Sequence, residues 1–291
     1  MPISDHSAFE NAQNKLILEE LNYDNYNNKT LHNDLYKGLN NCQRHIYNSI
    51  LDLVNNQRGI PFFVYGHVRI GKTFLWSAII AKLRSERKIV LTIATSGIAA
   101  LVQPGGRTSH SRFKIPLDTI GQSTCDIKKG TQLTKLLLET SLIIWDEAPV
   151  ENIYCFEVLD RTFRDILSEK DQSNADIIYG GVTVAPGGDF RQILPIIPKR
   201  KKHDIMQAYL SSSSLWQHVT VLKLTENMRL KKNLGNPTEL NELNAFDKWL
   251  LEIREGTGVV EDESYIQIPE DLKVTQHNSP QETIVNVVFP D

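Results

Sequence analysis

Apolar residues recur along this chain in two periods that take turns. Ile60–Tyr65 (IPFFVY) is a short continuous apolar run that ends at Gly66, and Lys88–Ala94 (KIVLTIA), Leu142–Trp145, Val182–Ala185 and Val219–Leu224 repeat the pattern. Runs of this length, rich in Val and Ile, predict strands buried on both faces. Between them the period lengthens. Ile46, Ile50, Leu51 and Val54 share one helical face, as do Leu75, Ile79 and Leu83 within Lys72–Arg84. Leu133, Leu136 and Leu137 predict another helix, and Phe156, Leu159, Phe163, Ile166 and Leu167 one more. Strand and helix in alternation predict an α/β fold with a mostly parallel sheet covered on both faces. Right-handed crossovers then bring every strand's carboxyl end to one edge, where ligands bind.

The flanks read differently. Residues 1–38 are polar and Asn-rich and show little periodicity, so they read as an arm with one helix around Ala12–Leu21. Residues 231–238 (KKNLGNPT) mark a boundary, followed by a helix over Glu239–Arg254 and a loose acidic tail. The expected organisation is an arm at 1–38, an α/β domain at 39–230 and a terminal piece at 231–291. That piece is short for an independent domain.

Composition narrows the class. With 41% apolar and 23% charged residues, disordered and collagen-like readings fail. No run approaches the ~18 apolar residues of a membrane span, and the opening Met1-Pro2-Ile3-Ser4-Asp5-His6 lacks the basic cap and apolar core of a secretory signal. Cys42, Cys125 and Cys155 are too few and too scattered for a disulfide framework, so a reducing compartment is expected. Charge is uneven: residues 231–291 hold 12 Asp/Glu against 5 Lys/Arg, so the remainder is net basic although the whole chain is at −3. A polyanion would meet the first part and be repelled by the last.

The clearest chemistry is Gly66-His67-Val68-Arg69-Ile70-Gly71-Lys72-Thr73, a G-x-x-x-x-G-K-[ST] loop that leaves an apolar strand and opens a helix. Backbone N–H groups there can cradle phosphate at a helix N-terminus. Lys72 would reach the β/γ-phosphates of ATP, and the Thr73 hydroxyl would ligate Mg²⁺. Further on, the strand at Leu142–Trp145 ends in Asp146-Glu147: one carboxylate for the metal shell, the other to orient water.

Several more segments occur in a familiar order. They are Gln43 after Leu39-Asn40-Asn41-Cys42, Ala94-Thr95-Ser96-Gly97-Ile98-Ala99-Ala100, and Gly106-Arg107-Thr108-Ser109-His110-Ser111-Arg112-Phe113-Lys114-Ile115-Pro116. Trp145-Asp146-Glu147-Ala148-Pro149, Gly187-Gly188-Asp189-Phe190-Arg191-Gln192 and Leu224-Thr225-Glu226-Asn227-Met228-Arg229 follow. Together with the phosphate loop they resemble the Pif-type (petite integration frequency) DNA helicases, especially their large plant and transposon-associated branch. The resemblance implies a RecA-like motor domain and the incomplete start of a second one. It also implies ATP-driven 5′-to-3′ movement on single-stranded and forked DNA, in repair, recombination and telomere or genome maintenance. Residue by residue, it puts Gln43 on adenine and Gly66, Gly71, Lys72 and Thr73 on phosphates and Mg²⁺. Asp146 becomes a Mg²⁺ ligand, Glu147 the water-activating base, Gln192 a γ-phosphate sensor and Arg229 an arginine finger. Ser96, Gly97 and His110 fall where the family contacts single-stranded DNA.

Read without the resemblance, the DNA surface has two accounts. Arg107, Arg112, Lys114, Lys128 and Lys129, interleaved with His110 and Phe113, suit a backbone-tracking, base-stacking strip. Equally, Phe113 belongs to the core and the charges are merely solvated. Pro198-Lys199-Arg200-Lys201-Lys202 likewise reads as a nuclear-import signal or as a solvated loop; a nuclear location is expected, with the mitochondrion as alternative.

Departures from the family pattern set further expectations. Val68, Arg69 and Ile70 replace two glycines and a threonine of the loop. A β-branched Val68 resists positive φ at a cost of about 1–3 kcal/mol, which Arg69 offsets if it meets phosphate. Pro186 deletes a ladder N–H ahead of Gln192, which is unfavourable in a central strand. The second motor half is barely begun at residue 291, so a nucleotide- or DNA-binding paralogue that does not unwind is the competing expectation. An unrelated P-loop switch is a weaker one.

Overall fold

A computed structural model of the chain describes residues 14–56, 61–67, 70–119, 122–192, 195 and 201–226, and in the last part 237–257, 259–260, 265–266, 268–270, 273, 279–281, 285 and 287. Every apolar run that predicts a strand forms one: β1 (Phe62–Tyr65), β2 (Ile89–Ala94), β4 (Thr140–Asp146), β5 (Thr183–Gly188) and β6 (Thr220–Lys223). A two-residue strand, β3 (Arg107–Thr108), has no signal in the periodicity. The six strands form one sheet in the order β3-β2-β4-β5-β1-β6, and each recorded pairing is parallel.

The strands are buried on both faces, and alternation sorts their side chains between two cores. Leu142 and Ile144 join Val64 and Ala185 against α3 (Asn41–Asn56) and α4 (Lys72–Ser85). Ile143 and Trp145 join Leu91 and Val184 against α7 (Gln132–Leu138) and α8 (Ile153–Leu167). Asp146 continues the Leu142–Ile144 alternation and so falls on the α4 side. Register places Thr108, Ala94 and Asp146 in one row across the sheet.

Pro186 is accommodated rather than disruptive. It lies buried in a central strand opposite Trp145, and the ladder to β1 begins one residue later at Val64↔Gly187. The missing N–H therefore falls where that ladder starts, and β5 continues unbroken to Gly188.

The polar N-terminal segment holds two helices where one is expected. Helix α1 (Lys15–Leu21) is capped by Asn14, whose side chain accepts from the Leu16 and Ile17 N–H groups and donates to Gln132 O at 2.9 Å. Helix α2 (Asn25–Gly38) is capped by Asp24. Its apolar face is built from His32, Leu35 and Tyr36, which hides it from an aliphatic-period search. His32 Nε2 lies 2.7 Å from the Tyr47 hydroxyl, and Tyr36 packs 5.2 Å from the Tyr47 ring.

The chain divides into two compact units, Met1–Arg229 and Leu230–Asp291. The second holds α9 (Pro237–Glu255), three residues longer than the expected helix, and an antiparallel pair, β7 (Val259–Val260) and β8 (Tyr265–Ile266). Among the described residues no helix is long and apolar enough to cross a membrane. The three cysteines are unpaired.

Candidate active site

The phosphate loop joins β1 to α4 at the carboxyl edge of the sheet. Gly71 takes φ 92°, a left-handed conformation that suits glycine, and offers α4 no side-chain cap. The first-turn N–H groups of that helix are thus left for an anion. Lys72 is buried and folds back so that its Nζ donates to Gly66 O at 2.6 Å. Thr73 is exposed on the same turn. Val68 and Arg69, and with them the expected strain and its offset, lie outside the described residues.

Gln43 is fully buried behind this loop. Its Nε2 donates to Gly71 O at 3.2 Å, and its Oε1 accepts from the Asn40 N–H at 3.1 Å. Asn40 Oδ1 in turn accepts from the Gln43 N–H at 2.7 Å, a reciprocal cap at the start of α3. The amide ties α3 to the phosphate loop and is not open to solvent, so adenine reaches it only if these bonds give way.

Two strands from the loop, β4 delivers Asp146 and Glu147. Burial raises the Asp146 pKa, opposed by Lys72, the Glu147 N–H and Trp76. Neither Trp76 Nε1 nor Asp146 Oδ1 completes a hydrogen bond, so a buried carboxylate oxygen is left without a partner. Glu147 is raised as well, first by burial and then by Asp146 and Asp189, against Lys72. Its backbone is left-handed at φ 52°, and Thr95 Oγ1 donates to its carbonyl at 3.0 Å. A non-glycine residue held there is strained, and such strain gathers at functional sites.

Asp189, to which the motifs give no role, is a third carboxylate in this group, buried at the end of β5. The glycine pair before it is required by crowding: a side chain at Gly187 would meet Trp76, and one at Gly188 would meet Pro149. Gln192 follows three residues later, half-buried, with its N–H donating to Asp189 O at 3.3 Å. Arg229 lies outside the described residues. Lys72 offsets Asp146 and Glu147, while Asp189 stands beside Glu147, so acidic oxygens gather here and one Asp146 oxygen lacks a hydrogen bond. Those residues fit a hard divalent cation such as Mg²⁺, with the Thr73 hydroxyl as a further oxygen donor.

The residues expected to meet DNA sit at the ends of β2 and β3, further along the same edge. Ser96 caps α5 (Gly97–Ala100), accepting from the Ala99 N–H at 3.1 Å, and remains exposed. Gly97 is exposed with open space where a side chain would stand. Ile98, Leu101 and Val102 beside it are also exposed.

In α6 (Ser109–Phe113) one expectation fails and one open alternative is decided. Arg112 is buried and ion-paired with Glu20 of α1, so it cannot meet a DNA backbone. Glu20 also holds the buried Arg84 at 3.7 Å. Phe113 is fully buried, edge-on to Phe163, which decides its role in favour of core over base stacking. His110 is half-buried, with Nδ1 3.3 Å from Ser109 Oγ and 4.0 Å from Glu151 Oε1. Arg107 and Lys114 are exposed, Arg107 being 3.7 Å from Glu19, and Lys128 is exposed too.

Comparison with known proteins identifies the family. The family model for PIF1-like helicases matches residues 38–264. The ATP-dependent DNA helicase PIF4 of Trypanosoma brucei brucei is 29% identical over 161 residues, covering 54% of this chain and 18% of that protein. The ATP-dependent DNA helicase Pif1 of Campylobacter jejuni is 27% identical over 188 residues, covering 60% of this chain and 39% of that one. The chain thus spans well under half the length of these curated relatives. Among solved structures, two coordinating Pif1 helicases at forked duplex DNA share 27% identity and a TM-score of 0.58, over 77% of this chain and 50% of theirs. Pif1 from Bacteroides sp. in complex with ADP-AlF4 shares 25% identity and a TM-score of 0.57, over 77% and 48%. With the family model spanning more than three quarters of its length, the chain belongs to the PIF1-like helicase family.

Proposed function

We propose that this chain is the ATP-binding motor part of an ATP-dependent DNA helicase that moves 5′ to 3′ on single-stranded DNA and acts at forks. The observation that carries this reading is the convergence of Lys72, Asp146, Glu147 and Asp189 at the carboxyl edge of one parallel sheet. In this reading the loop N–H groups and Lys72 hold the phosphates. Thr73 and Asp146 hold Mg²⁺, which when bound neutralises phosphate charge. Glu147 takes the proton of the attacking water. Its burial beside two other carboxylates makes it a stronger base than an exposed glutamate. Gln192 and Arg229 act on the γ-phosphate, and Gln43 contacts adenine after leaving its cap. Ser96, Gly97 and His110 contact the single strand, and Arg107 and Lys114 replace Arg112 as its phosphate partners. Membership of the plant and transposon-associated branch, a role in repair, recombination and telomere maintenance, and a nuclear or mitochondrial location belong to the same reading.

ATP turnover with and without single-stranded DNA tests it. Turnover is expected to rise on adding DNA and to fall at least 100-fold in Glu147→Gln, which keeps the shape but not the base. Lys72→Ala is expected to abolish nucleotide binding in calorimetry. Equal ATP affinity in Lys72→Ala and the parent chain would overturn the site. Binding of ATP and DNA without DNA-stimulated turnover would favour a non-unwinding paralogue.

A further inference from the structure

Glu151 lies four residues beyond Glu147, in the turn between β4 and α8, and is buried. A buried carboxylate normally faces a cation or a metal. Among the described residues no lysine or arginine pairs with it. What faces it instead is a set of metal-ligand types drawn from two elements. Cys155 of α8 lies with its Sγ 3.6 Å from Glu151 Oε1, and His110 of α6 places Nδ1 4.0 Å from the same oxygen. The three ligand atoms all lie within 4.8 Å of one another. The Ser109 hydroxyl donates to the other oxygen, Oε2, at 2.7 Å and so holds the carboxylate in place.

We propose that His110, Glu151 and Cys155 form a binding site for a zinc-class divalent cation, separate from the Mg²⁺–ATP recess. Imidazole, carboxylate and thiolate are the usual Zn²⁺ donors, at about 2.0–2.3 Å from the ion. Around a tetrahedral ion those bonds put ligand atoms about 3.3–3.7 Å apart. The Glu151–Cys155 spacing of 3.6 Å already meets this, and His110, 4.0 Å from Glu151 and within 4.8 Å of both partners, moves inward to complete the set. A hard ion such as Mg²⁺ is disfavoured by the sulfur.

Charge balance supports the assignment. The Cys155 thiol lies directly against the Glu151 carboxylate, with Sγ 3.6 Å from Oε1. On binding, the Cys155 proton leaves to the buffer, the S–metal bond forms, and the +2 ion neutralises carboxylate and thiolate together. Three protein ligands leave one corner for water. The ion would pin α6, which carries the proposed DNA contact His110, to the helix that follows the Asp146-Glu147 strand.

Cobalt(II), a coloured stand-in for zinc, tests the site in the whole chain. The expected result is a one-to-one complex with a thiolate-to-cobalt charge-transfer band that Zn²⁺ removes. Cys155→Ser should lose the band, Glu151→Gln should bind at least tenfold more weakly, and a Cys42→Ser/Cys125→Ser double variant should keep the band. Cobalt at the ATP site gives no thiolate band, so the two sites are told apart. X-ray absorption of the zinc-loaded parent chain needs no variant: one sulfur at about 2.3 Å with nitrogen and oxygen near 2.0–2.1 Å is expected. Absence of a sulfur shell, or a band retained in Cys155→Ser, would overturn the proposal.

Discussion

Asp146 carries a charge that its surroundings resist, and that gives it a measurable signature. Burial is the largest influence on its pKa and raises it, while Lys72 only partly compensates. The folded chain therefore keeps a proton that the unfolded chain releases, and stability falls as pH rises from the ordinary carboxylate value of about 4 through the raised one. Below that window both states are protonated and nothing is lost. Asp146→Asn is expected to raise the thermal midpoint of the ligand-free chain at pH 7, with the gain vanishing below about pH 4. The same variant should lose Mg²⁺-dependent ATP turnover. Melting curves at both pH values, read beside turnover, check the pair of effects; a lower midpoint at pH 7 would show that Asp146 is held by compensating contacts.

At the scale of elements, two contacts do more than their sequence positions announce. Glu20 of α1 neutralises Arg84 of α4 and Arg112 of α6, and all three are buried. Removing the carboxylate leaves two buried guanidinium groups without a counter-charge, at a cost of about 3–5 kcal/mol. Glu20→Ala should therefore lower the urea midpoint by that equivalent, whereas Glu19→Ala, on the exposed side of the same helix, should change it by less than about 0.5 kcal/mol. The second contact joins the end of β2 to the end of β4, where the Thr95 hydroxyl holds the left-handed Glu147 carbonyl one residue before the proposed DNA loop. Thr95→Val keeps the shape and deletes the bond. DNA stimulation of turnover should drop several-fold while DNA affinity stays level, and Thr95→Ser should restore it. Full stimulation in Thr95→Val would remove this link between the two sites.

For the whole molecule, charge separates the two units. The acidic residues after 230 and the basic excess before it favour the first unit for the proposed DNA contact. Binding to single-stranded DNA should weaken linearly on a log–log plot against salt, because phosphate contacts release counterions. Charge reversal at exposed Arg107 and Lys114 should flatten the slope by about 1 per lost contact. Arg112→Glu should instead unfold the chain, since it sets two carboxylates together in the core. A flattened slope in folded Arg112→Glu protein would restore that residue to the DNA surface.

The sequence by itself determined five of the six strands of the main sheet, the longer helices between them and the edge where they converge. Those features depend on local periodicity and on a phosphate loop whose residues are contiguous: Gly71, Lys72 and Thr73 cannot be far apart in any fold. Asp146-Glu147 was legible for the same reason, as a charged pair ending an apolar run. Contacts between distant segments decided the rest. Arg112 and Phe113 fit a DNA strip as well as they fit a core, until Glu20, 92 residues away, and Phe163 claim them. Helix α2 escaped detection because its packing face is His32, Leu35 and Tyr36, whose complement on Tyr47 exists only once α3 is folded beside it. Asp189 and Glu151 became part of charged clusters because parallel pairing and the α8 turn brought them there. Spacing along a chain fixes which side chains share a face; the partner that buries or neutralises each one is set by tertiary packing.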